Sequence, residues 1–485
     1  MRRIGLLSLV LSLASCAPAA QSGSSDGGEQ RIARVESGLR RAVQVKSLPV
    51  ETYPLADRMA KYNTPGVTIA VADSGRVVWA RGFGIKEAGT SDSVTSTTLF
   101  EAGSISKPVA ATIMLRLMEQ GKLSLDENVN DYLTSWKLPE NRFTAKEKVT
   151  LRRIVSHNAG LTVHGFPGYE VTDSIPTVPQ VLDGAKPANT GPVRVDTTPG
   201  AIWRYSGGGT TIMQLLVTDV GGKPFPTLAR ELVFDPAGMK LSTYEQPIPA
   251  SRISETAAAH HQDGTMVPGR WHVYPEMAAA GLWTTPSELL QWAIAIAESR
   301  AGKANSLLQQ ATATEMLTVQ KEPTGLGPFI RGSGRSMSFG HGGSDEGFHA
   351  ELIYFPETGQ GAAVMVNSDG GVPMLREILF AIAAEYDWPE FGPREIDAIA
   401  MDSAAVEQAL GAYRTDKPVP VTITISRENG KVFVHSEFTP KGEAVFTTPT
   451  HLVLLEGGFE LDLVPGANGV IDSVKAGPFV APKVR

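Results

Sequence analysis

Residues 101–123, EAGSISKPVAATIMLRLMEQGKL, contain an uninterrupted apolar run whose pattern predicts a helix that begins near Ser104. Ser104 and Lys107 are three positions apart and therefore share one helical face, which places an ammonium group beside a serine hydroxyl. A serine hydroxyl is a weak nucleophile until a neighbouring base or cation activates it. Pro108 is compatible with the first turn, and Gly121 marks the predicted end. The stretch thus predicts a helix with a candidate nucleophile and its activator at the start.

The size and composition of the chain indicate a globular protein of more than one domain. Its 485 residues exceed the usual length of a single domain, and 42% of them are hydrophobic and 20% charged. The net charge of −7 comes from 44 basic and 51 acidic residues, whereas proteins that bind nucleic acid present clustered basic surfaces. We therefore expect no nucleic-acid partner.

The N-terminus has the pattern of an export signal. In MRRIGLLSLVLSLASC, two arginines precede an apolar run that is too short to span a bilayer as a helix, so residues 1–15 are predicted to be a signal peptide. The segment LASC at 13–16 resembles the bacterial lipobox, in which the cysteine is lipidated, and Cys16 is the only cysteine of the chain. The alternative is a free thiol at the end of an ordinary signal peptide.

A lipid on Cys16 would attach the protein to a bacterial cell envelope, facing the periplasm or the exterior. Residues 16–30 are small, polar and rich in glycine, so they predict a flexible, lipidated tether. The membrane is therefore an expected partner through this N-terminal anchor, and the protein is expected to be an exported lipoprotein.

The order of strands and helices predicts an α+β domain over residues 31–390. Alternating apolar residues on both sides of a turn predict a hairpin within 64–84, and further strands are predicted at 348–355 and 361–366. Helical patterns dominate between these strands. This order is typical of an antiparallel sheet flanked by helices and differs from alternating βα units.

The C-terminal part of the chain has a different pattern. Residues 391–402 are predicted to be a linker. Residues 403–485 contain alternating strands with Asn429-Gly430 at a tight hairpin turn, and a second hairpin follows. These patterns predict a small all-β domain, either barrel-like or a sandwich.

Two further motifs change the interpretation of the serine and lysine pair. WRYSGG occurs at 203–208 and GHGGSDEGF at 340–348, and both follow FEAGSISK at 100–107. In this order the three motifs resemble those of the serine β-lactamase and penicillin-binding superfamily, in the branch that holds class C β-lactamases, D-Ala-D-Ala carboxypeptidases, D-aminopeptidases and related esterases. Two accessory stretches, VSHNAGL at 155–161 and PEMAAAGLWTTPSELLQW at 275–292, extend the resemblance.

The resemblance covers roughly residues 45–386 and implies the β-lactamase/transpeptidase-like fold. It also implies that Ser104 is the nucleophile and forms an acyl-enzyme. Lys107 would hold the serine and tyrosine electrostatically and share in proton movement, and Tyr205 would act as general base or acid. The backbone N–H groups of Ser104 and Ser344 would form the oxyanion hole, one at a helix start and one on an edge strand.

The substrate-binding residues implied by the resemblance are Gly207, His341, Gly342 and Gly343. The two adjacent glycines would let the substrate lie against their strand, because they carry no side chains. His341 replaces the lysine of the more usual K-T-G motif, so a weaker hold on a substrate carboxylate and a change of charge near physiological pH are expected. Gly207 replaces the asparagine of Y-x-N and removes an amide donor. Both departures favour esterase or small-amide activity over β-lactamase activity.

The sequence predicts no cofactor and no metal. His157, His164 and the pair His260-His261 lack carboxylate or cysteine partners at metal-ligand spacing, so polar packing is expected for them. The chain contains neither a dinucleotide-binding nor a nucleoside-triphosphate-binding glycine motif.

The leading functional hypothesis is a serine hydrolase that acts through a Ser104 acyl-enzyme. Its expected substrate is an ester, a D-amino-acid peptide or a peptidoglycan-derived amide, with weak β-lactam hydrolysis as a further expected activity. The alternative is a non-catalytic protein that keeps the fold to bind peptidoglycan or a partner.

Overall fold

The computed structural model of the protein describes residues 25–304, 307–417, 419–437, 439–477 and 479–484. The predicted signal peptide, Cys16 and the first part of the predicted tether lie outside these residues. The rest of the predicted tether, residues 25–30, is not a tether: the first helix begins at Ser25, and Glu29 on this helix forms an ion pair with Arg81 of the central sheet.

The helices of the described residues lie mostly in the middle of the main domain. They are α1 (Ser25–Ser37), α2 (Leu55–Lys61), α3 (Ser106–Glu119), α4 (Val129–Tyr132), α5 (Leu151–Val155), α6 (Val178–Asp183), α7 (Gly207–Gly221), α8 (Phe225–Ala229), α9 (Asp235–Ala237), α10 (Pro286–Arg300), α11 (Gln310–Met316), α12 (Val372–Tyr386) and α13 (Ser403–Ala409). Within the described ranges, no helix has both the length and the hydrophobicity that a membrane-spanning segment needs.

The strands concentrate at the two ends of the main domain and in the C-terminal region. They are β1 (Val43–Val45), β2 (Gly66–Asp73), β3 (Arg76–Gly84), β4 (Phe100–Glu101), β5 (Tyr169–Glu170), β6 (His272–Val273), β7 (Trp283–Thr284), β8 (Phe329–Arg331), β9 (Ser338–Asp345), β10 (Phe348–Phe355), β11 (Gln360–Val366), β12 (Arg394–Ile396), β13 (Gly411–Thr415), β14 (Val421–Glu428), β15 (Lys431–Ser436), β16 (Thr439–Thr448), β17 (His451–Leu454), β18 (Glu460–Pro465), β19 (Ile471–Ala476) and β20 (Phe479–Pro482).

The central sheet is antiparallel and has the strand order β3-β2-β11-β10-β9-β8. β2 and β3 form the hairpin predicted within 64–84, and β10 and β11 lie where strands were predicted. Because the two ends of the domain supply the strands and the middle supplies the helices, the predicted α+β fold with a helix-flanked antiparallel sheet is confirmed.

The sheet separates two hydrophobic cores. Side chains alternate between the faces of a strand, and in β2 the residues Ala70 and Ala72 contribute to one core while Ile69 and Val71 contribute to the other. The larger core includes residues of α3, α7 and α10, and the smaller one includes residues of α1, α2 and α12. Helices therefore cover both faces of the sheet.

The helix predicted within 101–123 begins later than expected, and it ends where Gly121 predicts. α3 begins at Ser106, and Ser104 lies in a 3₁₀ turn, residues 103–105, directly before it. Gly121 follows the helix with a φ of 70°, a backbone conformation that glycine adopts readily. Every residue of 106–115 is buried, so the helix that follows the nucleophile is a fixed part of the core.

The C-terminal strands form one antiparallel sheet in sequence order from β13 to β20. The sheet curls until its two edges meet: the N–H of Val484, just beyond β20, donates to the carbonyl of Ala412 on β13 at 2.7 Å. From α13, Val406 and Ala409 enter the enclosed core. The predicted all-β domain is thus a nearly closed barrel.

The predicted linker contains a strand. β12 lies within residues 391–402 and pairs in parallel with β1 from the start of the chain. Next to this pair, Arg41 and Lys61 of the main domain form ion pairs of 2.8 Å and 2.6 Å with Glu443 and Glu456 of the barrel. The barrel is therefore docked against the main domain through β1 and β12.

A buried ion pair joins α2 to α12 beneath the sheet. Glu377 on α12 has a side chain that is 0% exposed, and Arg58 on α2 donates two hydrogen bonds to it, at 2.7 Å and 2.6 Å. The hydroxyl of Tyr62 donates a third at 2.7 Å. Removing one partner of a buried pair leaves the other charge without compensation, and this is strongly destabilising.

Arg58→Met should therefore lower the free energy of unfolding by about 3–5 kcal/mol. The matched control is Arg300→Met, because Arg300 pairs with Glu357 at 2.8 Å on the surface, where both side chains are about one third to one half exposed. Chemical denaturation of both variants measures the difference. Equal stabilities of the two variants would contradict the structural role given to the buried pair.

Candidate active site

The lysine ammonium lies between the candidate nucleophile and a backbone carbonyl. Lys107 Nζ donates to Ser104 Oγ at 2.9 Å and to the carbonyl oxygen of Ala279 at 2.8 Å. Only 5% of Lys107 is exposed. The predicted neighbours Ser104 and Lys107 are thus in direct contact, and the second hydrogen bond fixes the direction of the ammonium group.

The carbonyl of Ala279 is itself held in place by α7. Gln214 on α7 donates to the carbonyl of Pro275 at 3.0 Å and accepts from the N–H of Ala278 at 2.9 Å. The accessory stretch 275–292 begins with this turn, so it supplies the carbonyl that accepts from Lys107. Sequence reasoning assigned no function to Gln214 or Ala279.

The ring of Tyr205 contacts the same ammonium. The centre of its ring is 4.8 Å from Lys107 Nζ. The next residue, Ser206, begins α7: its hydroxyl accepts from the N–H of Gly209 at 2.9 Å and donates to the carbonyl of Thr162 at 2.8 Å. The predicted trio of serine, lysine and tyrosine therefore converges on one point, and a helix cap fixes the tyrosine.

His157 holds the backbone on both sides of Tyr205. Its Nδ1 accepts from the N–H of Ser206 at 3.2 Å, and its carbonyl accepts from the N–H of Arg204 at 2.7 Å. Burial, followed by the charge of Lys107, holds the pKa of His157 well below its usual range, so the ring is neutral and can accept. The motif VSHNAGL was the available signal for this positioning role.

The strand β9 forms the wall of the site next to Ser104. β8 pairs with β9 only through residues 338–340, so in the described part of the chain the edge of 341–345 has no strand partner on that side. A Cβ on Gly103 would overlap the backbone nitrogen of Ser344. The turn that carries Ser104 is therefore packed against the backbone of Ser344, and the oxyanion hole formed by their two N–H groups stays a prediction.

The two glycines of β9 serve different purposes. A Cβ on Gly343 would overlap the carbonyl oxygen of Ala102, so this glycine lets the strand approach the turn before Ser104. A Cβ on Gly342 would come within 2.9 Å of the Glu351 carboxylate. Close packing of the protein against itself thus explains these glycines at least as well as space for a substrate.

His341 is a neutral hydrogen-bond acceptor. Its Nδ1–H donates to the carbonyl of Gly342 at 2.6 Å, and its ring stacks on Phe329 with centres 4.5 Å apart. Burial, assisted by the charge of Lys107, lowers the pKa of His341 to about 3. The expectation that its charge changes near physiological pH is therefore wrong. Its buried Nε2 has no hydrogen-bond partner among the described residues, so it presents a lone pair.

Gly207 fits tightly against a neighbouring loop. Its N–H donates to the carbonyl of His164 at 2.9 Å, and a Cβ at this position would lie 3.0 Å from the ring of Phe166. The imidazole of His164 stacks near Tyr205, with ring centres 4.9 Å apart. A histidine from the loop therefore lies beside the place from which the asparagine of Y-x-N would project.

These groups line a cavity of about 500 Å³. Its lining includes Ser104, Tyr205, His341 and Ser344, and it also includes two arginines. The arginines are Arg331 and Arg376, and the partly exposed carboxylate of Glu351 lies 3.9 Å from the first of them. The cavity is large enough for a small acyl group and part of its leaving group.

Three buried carboxyl groups surround the base of the site. Burial raises the pKa of Glu101, and the charge of Asp345 raises it further. Burial also raises the pKa of Asp345, against the opposing effect of Lys107. Glu276, in the turn that ends at Ala279, has a pKa raised to about 8 by burial, and neither of its oxygens has a partner in the described part of the molecule.

The raised pKa of Glu276 predicts that the free energy of unfolding falls as the pH rises. Unfolding moves this pKa from about 8 to about 4.5, so the unfolded chain releases a proton that the folded chain keeps. The wild type therefore loses stability relative to Glu276→Gln as the pH rises from about 4.5 to 8, by on the order of 4 kcal/mol in total. Chemical denaturation of both proteins at pH 5 and pH 9 measures their free energies of unfolding. If the difference between wild type and variant were the same at the two pH values, the raised pKa of Glu276 would be contradicted.

The neutrality of His341 predicts a flat pH dependence of substrate preference. Two p-nitrophenyl esters that differ only by a terminal carboxylate should keep a ratio of kcat/KM that changes by less than about 3-fold between pH 5.5 and 8. A tenfold rise in preference for the carboxylate ester as the pH falls through 6.5 would show that His341 takes up a proton.

Comparisons with known proteins show which family the chain resembles. The model of the Beta-lactamase family matches residues 55–386. The chain is 24% identical to an unguisins hydrolase of Aspergillus violaceofuscus, over 74% of this chain and 69% of that protein. It is 22% identical to a D-aminopeptidase of Brucella anthropi, over 66% of this chain and 60% of that protein.

A solved structure shares the fold over most of the chain. The octameric penicillin-binding protein homologue from Pyrococcus abyssi superposes with a TM-score of 0.60 at 21% identity, and the match covers 88% of this chain and 98% of that one. Because the family match extends over more than half of the chain and includes the serine, lysine and tyrosine motifs, this chain belongs to the beta-lactamase family of serine hydrolases.

Proposed function

We propose that this protein hydrolyses a small ester or amide through an acyl-enzyme on Ser104. The observation that carries the proposal is the 2.9 Å hydrogen bond from Lys107 Nζ to Ser104 Oγ, with the ammonium fixed by the carbonyl of Ala279. A serine hydroxyl in this position has a cation to stabilise its developing negative charge. Tyr205 faces the same ammonium and supplies a phenol for proton transfer.

In the acylation step, Ser104 Oγ attacks the carbonyl carbon of the substrate. Its proton passes to Tyr205, which then protonates the departing amine or alcohol. The N–H groups of Ser104 and Ser344 donate to the carbonyl oxygen as it becomes negative. Throughout this step the ammonium of Lys107 stabilises the negative charge, both on the alkoxide of Ser104 and on the phenolate of Tyr205.

The preferred substrate follows from the groups at the nucleophile's end of the cavity. The unpartnered lone pair of His341 Nε2 accepts a hydrogen bond, so it favours a substrate N–H or O–H and disfavours a carboxylate at this position. Position 207 offers no amide donor. We therefore favour an ester or an aminoacyl amide over a peptide that presents its terminal carboxylate to His341, and the similarity to a D-aminopeptidase supports this choice.

The alternative function, non-catalytic binding of peptidoglycan or a partner, predicts a different result for the Ser104→Ala variant. A protein that only binds a ligand has no need for the ammonium to be directed at Ser104 Oγ. Ligand binding that is tight and unaffected by Ser104→Ala, without turnover of any ester or amide, would support the binding function instead.

Ser104→Ala and Lys107→Met should each lower kcat/KM for p-nitrophenyl esters by at least about 10³-fold, because each removes a part of one catalytic unit. Tyr205→Phe should lower it by about 10²-fold or more, since it removes only proton transfer. Ser336→Ala, a partly exposed serine in the turn before β9 whose hydroxyl donates to the carbonyl of Ser333 at 3.0 Å, is the control and should retain full activity. Turnover that persists in Ser104→Ala would contradict the proposal.

A further inference from the structure

A second set of serine, histidine and aspartate side chains begins at the wall of the same cavity, which Ser344 and His349 line. Ser344 Oγ is 2.7 Å from His349 Nδ1, and His349 Nε2 is 2.9 Å from Asp369 Oδ1. Ser344 and His349 are direct cross-strand partners on β9 and β10, and Asp369 lies in the turn before α12. Three separate elements thus meet to form one chain of hydrogen bonds.

The direction of each hydrogen bond follows from the carboxylate. Asp369 accepts from His349 Nε2–H and also from the N–H of Gly347 at 2.9 Å. The lone pair of His349 therefore lies on Nδ1, where it accepts from the hydroxyl of Ser344. The other titratable groups near Asp369 are His261, whose Nδ1 is 3.8 Å from the Asp369 carboxylate, and Glu346, whose carboxylate is 3.3 Å from that same Nδ1. A base that is oriented by a carboxylate and bonded to a hydroxyl can accept a proton from that hydroxyl.

Ser344 brings this relay to the cavity that holds the candidate nucleophile. Gly103, directly before Ser104, packs against the backbone nitrogen of Ser344, and both serines line the cavity. Ser344 is exposed and lines the cavity together with Ser104 and His349, whereas only 12% of the His349 side chain is accessible. The serine therefore faces the water of the cavity, and the base is shielded from it.

We propose that Ser344, His349 and Asp369 form a proton relay that activates the water for deacylation of Ser104, a step that rests on the proposed acyl-enzyme. The water oxygen forms a bond to the acyl carbon, one water proton passes to Ser344 Oγ, and the Ser344 hydroxyl proton passes to His349 Nδ1. Collapse of the intermediate breaks the bond to Ser104 Oγ, which takes a proton from Lys107. His349 then loses its proton to solvent and Lys107 regains one, so the balance is one water consumed and one carboxylic acid released.

This assignment divides the two half-reactions between two groups. Tyr205 and Lys107 act on the side of Ser104 from which the leaving group departs, and the relay acts from the wall formed by β9. Ser344 is a catalytic residue in this scheme because its hydroxyl contacts the water. His349 and Asp369 act through it and are positioning residues.

The test separates acylation from deacylation with a p-nitrophenyl ester whose good leaving group makes acylation fast. Rapid mixing gives the acylation rate from the first release of nitrophenol, and mass spectrometry of the quenched protein gives the fraction of Ser104 that carries the acyl group. The variants are Ser344→Ala and His349→Gln. The control is His451→Gln, because His451 bonds to Asp462 at 2.7 Å in the same manner but lies on the barrel.

Both relay variants should acylate within about 3-fold of the wild-type rate, deacylate about 10²-fold more slowly and accumulate the acyl group on Ser104, while His451→Gln behaves as the wild type. Unchanged deacylation in Ser344→Ala, or equal losses in both half-reactions, would overturn the relay. A wild type that turns over the ester without any acyl group on Ser104 would overturn the proposed function, and the relay with it.

Discussion

The site depends on one ammonium group that has no freedom to turn away. Lys107 Nζ is held between Ser104 Oγ and the carbonyl of Ala279, and Gln214 on α7 holds the turn that carries this carbonyl. An ammonium on a flexible side chain is ordinarily a mobile charge. Here the burial of α3 and the second hydrogen bond fix the position of the ammonium group. Tyr205 and the β9 wall are therefore arranged around a charge that does not move.

The positive charge of Lys107 also affects the protonation of the histidines near it. His157 and His341 are buried, and burial together with Lys107 keeps both rings neutral. Neutral rings can accept hydrogen bonds, and the two histidines use this capacity differently: the first holds the backbone beside Tyr205, and the second presents a lone pair to the cavity. These two histidines therefore add no positive charge beside the ammonium of Lys107.

Local patterns in the sequence predicted the parts of the fold that depend on local structure. The 64–84 hairpin, the strands β10 and β11, and the serine and lysine pair all follow from short-range periodicity or spacing. The length of α3 was overestimated because a 3₁₀ turn at residues 103–105 has nearly the same apolar pattern as a helix. Residues 25–30 were assigned to a tether because their composition gives no sign of the ion pair from Glu29 to Arg81, which joins two distant parts of the chain.

The remaining features of the site depend on contacts between distant segments, which spacing alone does not encode. His157 meets Ser206, Gln214 meets Ala278, and His349 meets Asp369 only after folding. The neutrality of His341 likewise depends on burial, which its neighbours in the sequence do not reveal. The central claim is that Ser104 becomes covalently acylated, and the most direct measurement is the mass of its peptide after rapid quenching with an ester. The account predicts an added acyl group on Ser104 that is absent in Lys107→Met. An unmodified Ser104 peptide during active turnover would contradict it.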